Sequence, residues 1–183
     1  ILARGFKASG SLKSNTIVAT VMSNLGFFHA MKDAGIKVET TAVGDRYVLE
    51  KLNEKGFSLG GEQSGHLIMR EFATTGDGTL TALALAQEVV KSGKTLQDLA
   101  SAMVRFPQVL INVKNVAKEK LDSSEPIKVA VQAAEAKLGD QGRVLLRASG
   151  TEPLVRVMVE AQSDNLANEI ANDLAKVVEA ELG

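Results

Sequence analysis

Thr16-Ile17-Val18-Ala19-Thr20-Val21, running straight into Met22-Ser23-Asn24-Leu25-Gly26, decides how the first half of this chain folds. A run of β-branched and small apolar residues fits a strand buried within a sheet. Asn24 can then cap a helix that carries Leu25, Phe28 and Met31 at helical spacing and stops at Gly35. Lys37 to Val43 alternates as a second strand, with Val38, Thr40 and Ala42 on one side. Asp45 is placed to cap a helix through Leu49 and Leu52 that ends at Gly56. Phe57 to Gly61 is a short strand, and Leu67 to Met69 its hairpin return. The order strand, helix, strand, helix, strand predicts a small α/β layer.

Farther along, Asp77 can cap a helix over Thr79 to Val90. Its Leu80, Leu83, Leu85, Val89 and Val90 occupy more than one face, which predicts burial on most sides. Thr95 with Asp98 gives a capping-box pattern for a short helix ending near Met103. The pattern changes at Pro107. Gln108 to Val116 alternates as a strand, and Pro126 sits where a first helical residue belongs. Ile127, Val131, Ala134 and Leu138 form one helical stripe. Arg143 to Arg147 and Val155 to Glu160 are strands around a turn. The last helix carries Leu166, Ile170, Leu174, Val177 and Val178. The expectation is therefore an α/β chain. A small αβα-layer domain spans 1–104, and a compact α+β domain, an antiparallel sheet backed by two helices, spans 105–183.

Bulk properties narrow the function classes. The 183 residues are 45 % hydrophobic and 23 % charged, with a net charge of −1. No global field draws such a chain to nucleic acid or to an acidic membrane surface, so neither is an expected partner. There is no cysteine, hence no disulfide framework and no thiolate metal site. With His29 and His66 as the only histidines, a histidine-rich metal site is not expected. No apolar run approaches the roughly 20 residues needed to span a bilayer. The start at Ile1-Leu2-Ala3-Arg4-Gly5 carries no initiator methionine and no signal-peptide pattern, and reads as a cut point inside a longer protein.

Chemistry concentrates in two glycine-bearing stretches. Gly60-Gly61-Glu62-Gln63-Ser64-Gly65-His66 gathers the groups needed to hydrogen-bond a polyol. Glu62 can accept from vicinal hydroxyls in charge-assisted bonds, Ser64 adds a donor and acceptor, and the glycines would let the backbone approach a sugar ring. His66 suits proton transfer near neutrality or contact with phosphate. The competing reading is a glycine hairpin with exposed Glu62 and Gln63 and a structural His66.

Arg147-Ala148-Ser149-Gly150-Thr151-Glu152-Pro153 suits a phosphate dianion. Arg147 can grip two oxygens at once, and Ser149 and Thr151 add hydroxyl donors. Gly150 permits φ > 0, so that successive N–H groups could converge as an anion nest. Arg156, on the return strand, can supply a second positive charge. The competing reading is a hairpin turn with solvated arginines and Ser149 bonded to its local backbone. Thr74-Thr75-Gly76-Asp77-Gly78 reads as a helix cap before a second hydroxyl or phosphate site. Gly44-Asp45-Arg46 reads as a cap first, with Arg46 able to face an anion, and His29 as structural. A polyol site and a phosphate site on one chain suggest a phosphosugar ligand.

Five motifs occur in this order: Val18 to Gly26, Val43 to Val48, Gly61 to His66, Thr74 to Gly78 and Arg147 to Pro153. Together they make the chain resemble, over essentially its whole length, the C-terminal part of the α-D-phosphohexomutase superfamily. Gln63 favours the bacterial phosphoglucosamine branch over relatives acting on mannose or glucose phosphates. The resemblance implies a four-domain cytoplasmic enzyme of which this chain holds the third and fourth domains. It implies that Glu62 and Ser64 orient sugar hydroxyls, while Arg147, Ser149, Gly150 and Thr151 hold the non-reacting phosphate. It implies phosphoryl transfer from a phosphoserine through a sugar bisphosphate, with Mg2+ bound outside this chain. No Ser-His-Asn-Pro segment and no Asp-x-Asp-x-Asp-Arg loop occurs here. The chain alone is expected to be inactive and to need the N-terminal domains as partners.

Overall fold

A computed structural model describes all residues from Ile1 to Gly183. They divide into two compact units, Ile1–Arg105 and Phe106–Gly183.

The first unit is a three-layer α/β/α sandwich. Strand β1 (Thr16–Thr20) lies at the centre of a four-stranded sheet and is buried along its whole length. It pairs in parallel with β2 (Lys37–Thr41) on one side and with β3 (Leu59–Gly61) on the other. β4 (Leu67–Met69) returns antiparallel to β3. One face of this sheet packs on helices α1 (Leu2–Ala8), α2 (Leu25–Asp33) and α4 (Gly78–Ser92), around Leu2, Ile17, Met31, Leu59 and Met69. The opposite face packs on α3 (Asp45–Lys55) through Val18, Val48, Leu52 and Ile68. A short helix, α5 (Leu96–Ala100), follows, closed by the Thr95–Asp98 capping box.

Several local expectations need correction. The N-cap of α3 is Gly44, and Asp45 lies in the first turn with its carboxylate accepting from the Arg46 amide. Helix α2 turns Phe27, Ala30 and Met31 to the core where Phe28 was expected, a shift of one position around the axis. Strand β2 ends at Thr41, so Ala42 and Val43 belong to the loop before α3. The largest departure is α4. None of its residues is buried, and Leu83 and Val90 are 66 % and 81 % exposed. Only Leu80 and Ala84 reach the core, because one face of α4 alone meets the sandwich.

In the second unit, β5 (Gln108–Lys114), β6 (Arg143–Ala148) and β7 (Leu154–Glu160) form an antiparallel sheet with β7 in the middle. Helices α6 (Glu125–Leu138) and α7 (Asp164–Leu182) cover one face. Val113, Val155, Val157 and Val159 point into that core with Ile127, Ile170, Leu174 and Val178. Side chains alternate across a strand, so the other face carries the intervening residues. They form three rows: Gln108–Glu160–Arg143, Leu110–Met158–Leu145 and Asn112–Arg156–Arg147. The row nearest the β6–β7 turn is therefore polar and doubly cationic.

Candidate functional site

The order β2-β1-β3 places a topological switch at β1. The chain leaves β1 through α2 on one face and returns to β3 through α3 on the other. Ligand crevices in open α/β sheets form beyond the carboxyl ends of the strands at such a point. Thr20, Gly44 and Glu62 all lie there, at or just past the ends of β1, β2 and β3. Thr20 Oγ1 is buried with no hydrogen-bond partner.

Glu62 is held in place by its surroundings. Its Oε1 accepts from the Gly44 amide at 2.8 Å, and its side chain is only 11 % exposed. Oε2 faces Ser64 Oγ at 3.4 Å and His66 Nδ1 at 3.8 Å, so the three predicted polyol residues do converge. Ser64 Oγ and His66 Nδ1 are 3.5 Å apart. The turn itself is fixed by Glu62 N–H to the His66 carbonyl and Gly65 N–H to the Glu62 carbonyl, with Gly65 at φ 98°. Oε1 is thus engaged by an amide, while Oε2 accepts a long bond from the Ser64 hydroxyl and faces the imidazole. That arrangement can accept a hydroxyl proton and offer two donors beside it.

Gly60 and Gly61 play a different part from the one expected. A Cβ on Gly60 would come within 2.6 Å of Val48 Cγ1, and one on Gly61 would collide with Leu67 Cδ2. Both glycines are buried within the sandwich. They make room for core side chains, not for a ligand. The Thr74–Gly78 loop packs on His66, since a Cβ on Gly76 would lie 3.2 Å from His66 Cβ. Asp77 is a cap as anticipated, accepting from the Leu80 amide at 2.9 Å. Arg46 pairs with Glu50 at 2.8 Å on the surface of α3, and His29 sits half-buried on α2.

In the second unit, Arg147 and Arg156 are direct cross-strand partners on β6 and β7. Like charges placed opposite each other repel. Arg156 approaches Glu152 at 4.0 Å, whereas Arg147 makes no ion pair and no side-chain hydrogen bond. The adjoining amides of Gly150 and Thr151 donate to no protein acceptor. Ser149 is buried, and its Oγ accepts from the Glu152 amide at 3.3 Å while its own proton stays available. Gly150 does not adopt positive φ, so the expected left-handed nest is not formed there. The turn closes on its own backbone through the Ser149 N–H to the Leu154 carbonyl and the Leu154 N–H to the Glu152 carbonyl, both at 2.9 Å. Lys118 Nζ donates to the carbonyls of Ser149 and Glu152, the latter at 2.9 Å, and the Asn115 amide donates to that of Pro153 at 2.8 Å. Sequence reading missed Lys118, whose place behind the turn is set by the fold.

No group of three His, Asp or Glu side chains able to hold a metal ion occurs in the chain, so its residues do not fit a magnesium centre. No helix is long and apolar enough to cross a membrane.

Comparison with known proteins places these loops in context. Residues 1–106 match the model described as phosphoglucomutase/phosphomannomutase, alpha/beta/alpha domain III, and residues 110–177 match the C-terminal domain of the same family. The chain belongs to the phosphoglucomutase/phosphomannomutase family. It is 59 % identical over 182 residues to a phosphoglucosamine mutase of Leifsonia xyli and 57 % identical to one of Frankia alni. Each alignment covers the whole of this chain and 40 % of the relative, so the chain spans two fifths of the proteins it matches. Among solved structures, Aspergillus fumigatus N-acetylphosphoglucosamine mutase in complex with GlcNAc-6P and magnesium superposes with a TM-score of 0.79 at 20 % identity. That match covers 98 % of this chain and 42 % of that one. A family member from Burkholderia thailandensis gives a TM-score of 0.70 at 20 % identity, over 98 % of this chain and 40 % of that one. Both show the shared fold.

Proposed function

We propose that this chain is the substrate-recognition half of a phosphoglucosamine mutase, an isomerase interconverting glucosamine 6-phosphate and glucosamine 1-phosphate. In this reading domain III, residues 1–104, supplies Glu62, Ser64 and His66 to the sugar. The C-terminal domain, residues 105–183, supplies Arg147, Ser149, Gly150, Thr151 and Arg156 to the phosphate that is not reacting. The phosphoserine and the magnesium ligands lie in the preceding domains. The observation that carries the reading is the cross-strand pair Arg147–Arg156 beside two undonated amides, an arrangement that an oxyanion would relieve. High identity to phosphoglucosamine mutases supports the choice of sugar.

The chemistry follows from positioning. Phosphoryl transfer leaves the protein little covalent work, and its rate depends on alignment and on neutralising charge. Holding the far phosphate on Arg147 and the sugar hydroxyls on Glu62 would fix which end of a bisphosphate faces the phosphoserine. Release and re-binding in the opposite sense would exchange the two ends. His66, 3.8 Å from Glu62, is placed to donate to a hydroxyl or to a phosphate oxygen.

The decisive experiment is a mutase assay with glucosamine 6-phosphate, run on this chain with and without the N-terminal domains. Turnover only when both are present is expected. Turnover by the chain alone would overturn the division of roles. Faster turnover of mannose or glucose phosphate by the complete protein would move it to another branch of the family.

A further inference from the structure

The geometry points to Lys118 as a positioning residue that presents the Gly150 N–H of the phosphate turn. This rests on the phosphate reading above and extends it to a residue outside the turn.

The argument begins with peptide geometry. In a planar trans peptide the C=O and the following N–H point in opposite directions. The Ser149 carbonyl is drawn to the Lys118 ammonium, so the Gly150 N–H must face away from Lys118. A second carbonyl of the turn, that of Glu152, is drawn to the same ammonium, and a third, that of Pro153, to the Asn115 amide. Three carbonyls thus turn toward the segment 115–118, and of these the Ser149 carbonyl is the one that precedes an amide free of protein acceptors, that of Gly150, since Pro153 has no N–H and the Leu154 amide donates to the Glu152 carbonyl. With Gly150 outside the left-handed region, the turn has no internal nest to impose that polarity.

The anchor is itself well held. Asn115 takes a left-handed φ of 59°, which bends the chain sharply after β5. Val116 and Leu121 are buried in the core of the unit on either side of Lys118. The Ala117 amide donates to the Leu182 carbonyl at 2.7 Å, tying the segment to the end of α7. Lys118 is half-buried, and no carboxylate lies within ion-pairing distance of it. Its charge therefore acts on the turn from behind, reinforcing the field of Arg147 and Arg156 at an oxyanion.

The test is a titration of inorganic phosphate into the isotope-labelled 183-residue chain, followed by NMR at the Gly150 and Thr151 amides. In the unaltered chain both amides should shift saturably. Lys118→Met should raise the Kd for phosphate roughly tenfold, the loss of one charge-assisted interaction, and shrink the shift of the Gly150 amide at saturation. Amides of β5–β7 should keep their positions, which a general loss of structure would not allow. Lys118→Arg, which keeps charge and donors, should restore both readouts in large part. Unchanged amide shifts and Kd in Lys118→Met would overturn the inference while leaving the phosphate reading intact. No response of the unaltered chain at Gly150 would overturn the phosphate reading itself. Should Lys118→Met fail to fold, through-hydrogen-bond couplings between Lys118 Nζ and the carbonyl carbons of Ser149 and Glu152 decide the matter in the phosphate-bound unaltered chain. Their presence supports the inference and their absence overturns it.

Discussion

The β3–β4 and β6–β7 hairpins have similar compositions, yet their polar groups are in different states. In the first, Glu62 is already hydrogen-bonded to Gly44, the turn closes on its own backbone, and two of its glycines serve the core. In the second, the turn also closes on its own backbone, but Arg147 and two amides have no protein partner, and Lys118 braces the turn from outside. One loop is a finished structure whose carboxylate is already partnered, the other an unfinished electrostatic arrangement. A loop of the first kind can select a ligand's shape. A loop of the second kind gains from binding almost any oxyanion.

The same sheet offers an internal control for this contrast. Glu160 is fully buried between Gln108 and Arg143, bonded to them at 2.7 and 2.6 Å. Glu160→Ala should lower the stability of the second unit by about 3 kcal/mol, because it strands a partly buried guanidinium. Urea unfolding with an unchanged m-value would measure it. Arg147→Ala should behave in the opposite way. We expect stability to move by less than about 0.5 kcal/mol, while affinity for glucosamine 6-phosphate falls by about 1.5–3 kcal/mol. Calorimetry showing equal affinity would erase the distinction between the closed row and the open one.

The glycines sharpen the comparison further. Gly60→Ala pushes a methyl into Val48 and should cost about 1–3 kcal/mol of stability. Gly150→Ala, with open space around it and no positive φ, should change the unfolding free energy by less than about 0.5 kcal/mol, measured by the same urea unfolding. The smallest expected effect is Ser64→Ala. Its hydroxyl is exposed and 3.4 Å from Glu62, so phosphosugar affinity should drop by about 0.5–1.5 kcal/mol with no loss of fold, measured by the same calorimetry.

These contrasts show what the sequence could and could not convey. The buried β1 run, the Asn24, Asp77 and Thr95 caps, and the valine and leucine stripes of the second unit are local patterns, and the fold reproduces them. Helix α4 failed because apolar spacing states which residues could be covered, not what arrives to cover them. Gly60 and Gly61 failed for a related reason. A missing side chain serves equally to admit a ligand or to admit Val48 and Leu67, and only the packing of α3 and β4 decides between them. Lys118 lies 31 residues before the carbonyl it holds, beyond any local motif.

The Ala117–Leu182 bond gives the far end of α7 an influence that its distance along the chain conceals. Final helical turns fray readily, and here fraying would loosen the segment on which the lysine stands. Warming should therefore erode anion capture before it unfolds the sheet, and clipping a few C-terminal residues should mimic warming.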